Sequence, residues 1–182
     1  MNNQGRLRRE DIELIAYDIL KKLNLLKEPI ELSGVLKHYN ISLYEKDLDD
    51  DVSGFLHVKD NKPVIVVNEN HHPNRKRFTV AHELGHFFIH AKNTKDALFI
   101  DKNYSGIFHR NQKSTKGTDD KEIEANIFAA AFLMPKQLLK KALDNNGYDI
   151  LDDSSFYVLA KRFSVSQQAL AFRMAKLDFV VG

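Results

Sequence analysis

The apolar positions of the chain repeat with two different periods, which divide it into a helical start, a short extended region and a helical remainder. An amphipathic helix is predicted from about Arg9 to Leu23, because its apolar residues recur every three or four positions. A second, shorter helix is predicted after Pro29. The apolar residues that define the first helix are Ile12, Ile15, Ala16, Ile19, Leu20 and Leu23.

Three short runs of β-branched and aromatic residues follow, separated by the turn-rich segments DLDDD and KDNK. The runs are ISLYEK, VSGFLHV and KPVIVVN, and all of them lie within residues 41–68. Such runs between turn signals predict strands, and their β-branched and aromatic content favours a small antiparallel sheet. We therefore predict a small three-stranded antiparallel sheet.

The rest of the chain returns to helical spacing, with one polar interruption. Helices are predicted through RFTVAHELGHFFIH (residues 77–90) and DDKEIEANIFAAAFLM (residues 119–134). Residues 93–120 are rich in Gly, Ser, Thr and Asn and are predicted to form a long loop with at most one short element. Three further helices are predicted within PKQLLKKALDNN, SSFYVLAKRF and SQQALAFRMAKL. The predicted fold class is α+β, mainly helical, with the sheet packed on the helix of residues 77–90.

Length and composition are those of a single folded domain. The 182 residues are 43% hydrophobic and 29% charged, with 27 basic and 25 acidic residues and no cysteine. One domain is predicted over residues 1–182, made of amino-terminal helices (1–40), the sheet with two motif-bearing helices (41–135) and a carboxy-terminal helical segment (136–182). The balanced charge excludes a strongly polyanion-seeking protein, and the lack of cysteine excludes thiolate sites. Without a membrane-spanning segment or signal peptide, a cytoplasmic protein is expected.

The helix of residues 77–90 contains HELGH, an H-E-x-x-H motif. At about 100° per residue, His82 and His86 lie about 40° apart and one turn from each other, so both imidazoles can bind one cation. Glu83 lies on the flank of that stripe, where it can hold a water on the metal without being a ligand. The apolar residues of the helix fall on its opposite side: Val80, Ala81, Leu84, Phe87 and Phe88.

A catalytic zinc ion usually has three protein ligands, so the two histidines need a third. His90 lies two turns beyond His82, about 12 Å along the axis, and is too distant to share the ion. It is predicted to support the site from outside the coordination sphere, or to be an ordinary surface or core histidine. Glu122 is the predicted third ligand, and Asn126, on the same helical face, is predicted to hydrogen-bond a ligand histidine. Glu124 points about 200° away from Glu122 and is predicted to be a solvated charge.

Three segments together, RFTVAHELGHFFIH, EIEANIFAAAFLMP and LAKRFSVSQQALAFRM, make residues 51–177 resemble the ImmA/IrrE family of bacterial and phage metallopeptidases. The resemblance implies a zinc-dependent endopeptidase with a thermolysin-like, gluzincin-type core. In that core His82, His86 and Glu122 would bind the metal and Glu83 would be the catalytic base. Manganese or iron would suit the same ligands. Members cleave a helix-turn-helix transcriptional repressor and so release phage, mobile-element or stress genes, which makes such a repressor the expected partner.

Peptide hydrolysis also needs a hydrogen-bond donor for the oxyanion that develops in the transition state. Tyr104, His109 and Arg110, in the predicted long loop, are the candidates, although loop residues of these types are commonly just solvated. An extended substrate could pair with the strand VSGFLHV or with its neighbour.

Two other functions stay open at the level of sequence. The segment LAKRFSVSQQALAFRMAKL has two helices joined by a tight turn at residues 163–166 and resembles a helix-turn-helix, for which the alternatives are DNA binding, scaffolding and repressor docking. The third interpretation is a metal-binding regulatory module or toxin-like partner with little proteolysis. The basic run at residues 75–77 would then contact a partner, unless it is a solvated helix start. The cations near the two-helix segment are Lys161, Arg162, Arg173 and Lys176.

Overall fold

The computed structural model describes residues 6–92, 94–102, 116–146 and 152–177. The protein is mainly helical, with one small sheet, as the sequence predicts. In chain order the elements are α1 (Arg9–Lys22), α2 (Leu32–His38), β1 (Ser42–Lys46), β2 (Val52–Lys59), β3 (Lys62–Asn68), α3 (Pro73–Gly85), a π-helical turn (His86–Ala91), β4 (Ala97–Lys102), α4 (Lys116–Leu133), α5 (Lys136–Asn146), α6 (Asp153–Phe163) and α7 (Gln167–Lys176). Within the described residues no helix is long and apolar enough to cross a membrane.

The sheet has four strands in the order β1-β3-β2-β4, and it is mixed. The prediction of three antiparallel strands was wrong in two respects: β1 pairs in parallel with β3, and β4 adds a fourth strand beside β2. Asp60 and Asn61 both have positive φ, as a tight two-residue hairpin between β2 and β3 requires. The longer DLDDD connection lets β1 pass to the far side of β3. The strand β4 is the short element within the polar stretch of residues 93–120.

Helix α3 lies between the sheet and α4, and two glycines permit this close packing. A Cβ atom on Gly54 of β2 would lie 2.6 Å from the carbonyl oxygen of Val66 and 2.7 Å from Cγ2 of Thr79. On the other side of α3, a Cβ atom on Gly85 would lie 3.0 Å from Cα of Ala125. All three distances are shorter than normal contacts, so the chain can pack this closely only because these two positions have no side chain.

The carboxy-terminal helices α6 and α7 are joined to the rest of the chain by two arginines. Arg173 is 3% exposed, donates from Nη1 to Glu13 of α1 at 2.6 Å and from Nε to the carbonyl of Met134 at 3.1 Å. Arg162 forms an ion pair with Glu28. Two of the four cations that could have contacted DNA are therefore engaged within the protein. Ser164 ends α6 with a left-handed backbone conformation, and Ser166 caps α7 by accepting from the Ala169 amide; the two features together account for a sharp turn between the helices.

Candidate active site

Helices α3 and α4 bring three potential metal ligands to one point. His82 lies on α3 and His86 one turn later, at the start of the π-helical turn that continues α3; both are buried, and their Nε2 atoms are 3.0 Å apart. From α4, Glu122 places Oε2 3.1 Å from Nε2 of His82 and Oε1 3.3 Å from Nε2 of His86. The histidine side chains are 2% and 1% exposed, and the glutamate side chain is 13% exposed. The geometry thus groups the three residues that the sequence analysis selected as ligands.

The spacing of these atoms suits a small tetrahedral cation. Zinc binds imidazole nitrogen and carboxylate oxygen at about 2.0–2.2 Å, which places neighbouring tetrahedral ligands about 3.3–3.6 Å apart. The observed separations of 3.0, 3.1 and 3.3 Å are close to this range. If Nδ1 of His82 donates to Oδ1 of Asn126, Nε2 of the neutral ring carries a lone pair that faces the Glu122 carboxylate, and a cation or a proton between them removes this repulsion. The donor set therefore fits a divalent metal ion such as zinc.

The outer nitrogens of the two histidines have different environments. Nδ1 of His82 lies 3.2 Å from Oδ1 of Asn126, a contact that orients the ring with Nε2 facing inward. Nδ1 of His86 is buried and has no hydrogen-bond partner among the described residues. The ring of His86 is held instead by stacking on Phe99 of β4, with centroids 4.6 Å apart and planes 18° from parallel. One ligand is thus fixed by an amide and the other by an aromatic face.

Glu83 lies beside the triangle and is completely buried. Neither of its carboxylate oxygens has a hydrogen-bond partner among the described residues. Burial raises the pKa of Glu83 to about 8; the charge of His82 opposes this shift, and the charges of Asp101 and Glu122 add to it. A carboxylate with a pKa near neutrality can both accept and return a proton, as a general base must.

The ligand triangle holds a proton when no metal is bound. Burial alone would lower the pKa of His82, but the hydrogen bond to Glu122 and the nearby carboxylates of Glu83 and Asp101 raise it to about 9. Burial also raises the pKa of Glu122, yet its contacts with the two histidines outweigh this and lower it to about 2. Burial lowers the pKa of His86, which stays neutral beside the charged His82. A metal ion would replace the proton on His82.

His90 lies outside the triangle, in the π-helical turn that continues α3. Its Nε2 atom is 3.3 Å from the carbonyl oxygen of Lys121 and 3.7 Å from Glu124, and its ring centroid is 5.4 Å from that of His86. Burial lowers the pKa of His90 to about 4, so the ring is neutral. His90 therefore lies between the ring of His86 and α4, a position from which it could support a ligand without coordinating the metal.

Glu124 was predicted to be a solvated charge, and this prediction was wrong. Glu124 is 6% exposed and accepts a hydrogen bond from the amide of Leu7 at 2.6 Å. Its direction away from Glu122 leads into the packed interface of α4 with the segment before α1. In the basic run, Arg77 donates to the carbonyl of Ile30 and Lys76 pairs with Glu45 at 2.5 Å. These side chains tie the start of α3 to its surroundings.

Asp101 is a site residue that the sequence analysis missed. It lies on β4 and is 9% exposed, and one of its carboxylate oxygens lies within 4.8 Å of a ring nitrogen of His82 and of an oxygen of Glu83. Burial raises its pKa. The sequence feature that could have revealed Asp101 is the alternation of outward- and inward-facing residues that a strand produces in LFID: Leu98 and Ile100 are exposed, while Asp101 faces inward. It was hidden by the polar residues on both sides.

The edge of the sheet nearest the site belongs to β4. Strand β2 is paired on both sides, with β3 and with β4, so the predicted substrate strand VSGFLHV has no free edge. Its neighbour β4 is an edge strand among the described residues. The candidate oxyanion donors Tyr104, His109 and Arg110 lie outside the described residues.

Comparisons with known proteins agree with this geometry. The chain is 26% identical over 124 residues to the "Uncharacterized immunity region protein 2" of Bacillus phage phi105, an alignment that covers 68% of each protein. Its fold is similar to the solved structure of a "Mycobacterium tuberculosis transcriptional regulator", with a TM-score of 0.60 and 19% identity over 91% of this chain. The chain spans only 47% of that regulator. A family model, the IrrE N-terminal-like domain of the Peptidase_M78 metallopeptidases, matches residues 36–175, and the chain therefore belongs to this family.

Proposed function

We propose that the protein is a zinc-dependent endopeptidase of the gluzincin type. The observation that carries the proposal is the completely buried Glu83 carboxylate, which has no hydrogen-bond partner among the described residues and stands beside a triangle of two imidazoles and one carboxylate. A structural metal site would not need an unpaired base next to it, because such a base is unfavourable to bury. Membership of a metallopeptidase family supports the same conclusion.

Each residue of the proposed active site has a separate chemical role. A zinc ion on His82, His86 and Glu122 would supply a Lewis acid that polarises a carbonyl and acidifies a water molecule. Glu83 would accept a proton from the water molecule as its oxygen adds to the scissile carbonyl carbon, and would donate that proton to the nitrogen of the leaving amine as the C–N bond breaks. Asn126 keeps His82 in the tautomer and orientation that binding requires.

The proposed substrate is an extended segment of a helix-turn-helix transcriptional repressor, cleavage of which would derepress phage, mobile-element or stress genes. Support comes from the phage immunity-region relative and from the family. Strand β4 is an edge strand among the described residues, and its backbone groups could pair with an extended peptide beside the ligand triangle. DNA binding by α6 and α7 is less favoured, since Arg162 and Arg173 already have partners in the protein.

The test mixes the zinc-loaded protein with the repressor encoded beside its gene and follows cleavage by mass spectrometry. The wild-type protein should cut the repressor at one or a few sites, while Glu83→Gln should keep the zinc ion held by His82, His86 and Glu122 and lose cleavage by more than about 1,000-fold. Cleavage by Glu83→Gln at the wild-type rate would refute the role of the base. Zinc-independent cleavage would refute the metal mechanism.

A further inference from the structure

Two buried carboxylates lie together beside the ligand triangle. Glu83 comes from α3 and Asp101 from the inner face of β4, and they are 0% and 9% exposed. One oxygen of each and one ring nitrogen of His82 all lie within 4.8 Å of one another. Buried groups of like charge at such distances are unfavourable unless a positive charge or a proton lies between them.

The strand geometry directs Asp101 toward Glu83. The pairing of β2 with β4 slips between Val52 and Gly54, and this bulge leaves Gly54 as the cross-strand neighbour of Asp101. Because Gly54 has no side chain, nothing from β2 stands beside the carboxylate on the inner face. Bulges next to sites commonly re-aim a side chain in this way. Both oxygens of Glu83 are without a hydrogen-bond partner among the described residues, so they are available to a ligand.

The oxygens of Glu83 and Asp101 lie close enough together to bind one divalent cation. Zinc-bound oxygen and nitrogen atoms lie about 2.0–2.2 Å from the ion, so two ligands of one ion are at most about 4.4 Å apart. A separation of up to 4.8 Å therefore needs a movement of only a few tenths of an ångström. Carboxylate oxygens are suitable ligands for zinc, manganese and magnesium alike.

We propose that Glu83 and Asp101 form a second, weaker divalent-cation site that borders the site of His82, His86 and Glu122. An ion in the second site would coordinate the Glu83 carboxylate, which then could not accept a proton as the base. Excess zinc is therefore inhibitory, and this consequence rests on the proposed peptidase function. The binding site itself does not depend on that function.

Zinc stoichiometry, measured by equilibrium dialysis without substrate, tests the second site. The wild-type protein and the control Asp144→Asn, a change at an exposed position of α5, should bind two zinc ions with different affinities. Asp101→Asn and Glu83→Gln should each keep the tighter ion and weaken the second by at least about tenfold. Circular dichroism confirms that the variants are folded. One ion in the wild-type protein, or a second ion retained by both variants at the wild-type affinity, would overturn the proposal.

A zinc titration of cleavage separates the second site from the peptidase proposal. The wild-type protein and Asp144→Asn should be activated by the first equivalent and inhibited by further zinc, whereas Asp101→Asn should need at least about tenfold more zinc for the same fractional inhibition. If two ions bind but nothing is cleaved, the peptidase proposal fails and the second site stands. If cleavage occurs and only one ion binds, the second site fails and the peptidase stands.

Discussion

Replacement of Gly85 by alanine tests whether the contact between α3 and α4 sets the metal geometry. The new Cβ would lie 3.0 Å from Cα and 3.1 Å from the carbonyl oxygen of Ala125, and 3.2 Å from Cβ of Phe128. Two of these atoms belong to the backbone of α4, so relief requires the helix to move by a few tenths of an ångström. Glu122 and Asn126 lie on the same helix and would move with it.

The Gly85→Ala substitution changes both helix propensity and packing, and the two changes affect the free energy of unfolding with opposite signs. Alanine favours a helix interior by about 1 kcal/mol over glycine, whereas overpacking a tight contact costs about 1–3 kcal/mol. We expect a net loss of about 1 kcal/mol in the free energy of unfolding. Because metal–ligand distances tolerate only about 0.2 Å, a displaced Glu122 and Asn126 should weaken zinc binding by about tenfold or more.

The assays are urea unfolding of the metal-free protein and zinc competition against a chromophoric chelator. Gly34→Ala is the matched control, because the three atoms nearest to its Cβ all belong to the flexible side chain of Leu25, at 3.2 Å and beyond. That variant should keep the wild-type zinc affinity and lose no more than a few tenths of a kcal/mol. A Gly85→Ala variant that is more stable than wild type and binds zinc equally well would refute the reasoning.

Three further predictions concern the ligands and their support. Glu122→Ala should weaken zinc binding by more than about 100-fold, whereas Glu124→Ala should change it by no more than about threefold. Glu124→Ala should instead lower the free energy of unfolding by about 1–3 kcal/mol, because the Leu7 amide loses its buried acceptor. Chelator competition measures zinc affinity and urea unfolding measures stability; the reverse ranking of the two variants in zinc affinity would refute the ligand assignment. Asn126→Ala should weaken zinc binding about 10–100-fold and Asn126→Asp should restore it, so an unchanged affinity in the alanine variant would contradict its orienting role. The pKa of His82, about 9, means that the metal-free protein holds this proton at pH 7, so zinc binding should release at least one proton and weaken about tenfold per pH unit as the pH falls below 9. Calorimetry in two buffers with different ionisation enthalpies measures the release, and zinc binding without proton release would contradict the assigned protonation.

The helical parts of the fold could be predicted because their signal is local. Apolar residues at helical spacing are visible in the sequence wherever one face is buried, as in α1. The same periodicity gives the direction of each side chain, so the shared faces of His82 with His86 and of Glu122 with Asn126 followed from residue spacing alone. The distance between the face that carries the two histidines and the face of α4 that carries Glu122 depends on tertiary contacts such as that of Gly85 with Ala125, which residue spacing does not reveal.

The sheet and the environment of single charges could not be predicted in the same way. Strand order depends on long-range pairing, and nothing within ISLYEK distinguishes a parallel from an antiparallel partner. For Glu124 the helical wheel gave the direction correctly, but what lies in that direction is the segment before α1, more than 100 residues away in sequence. Asp101 was missed because β4 is short and lies between polar segments, so its alternation resembled a loop.

The metal centre is tested most directly by crystals grown with one equivalent of zinc and measured on both sides of the zinc absorption edge. The structure predicts one strong anomalous peak, about 2.0–2.2 Å from Nε2 of His82, Nε2 of His86 and a carboxylate oxygen of Glu122, with Glu83 nearby but not coordinated. A zinc peak elsewhere, or one bound by Glu124 in place of Glu122, would contradict the proposed active site.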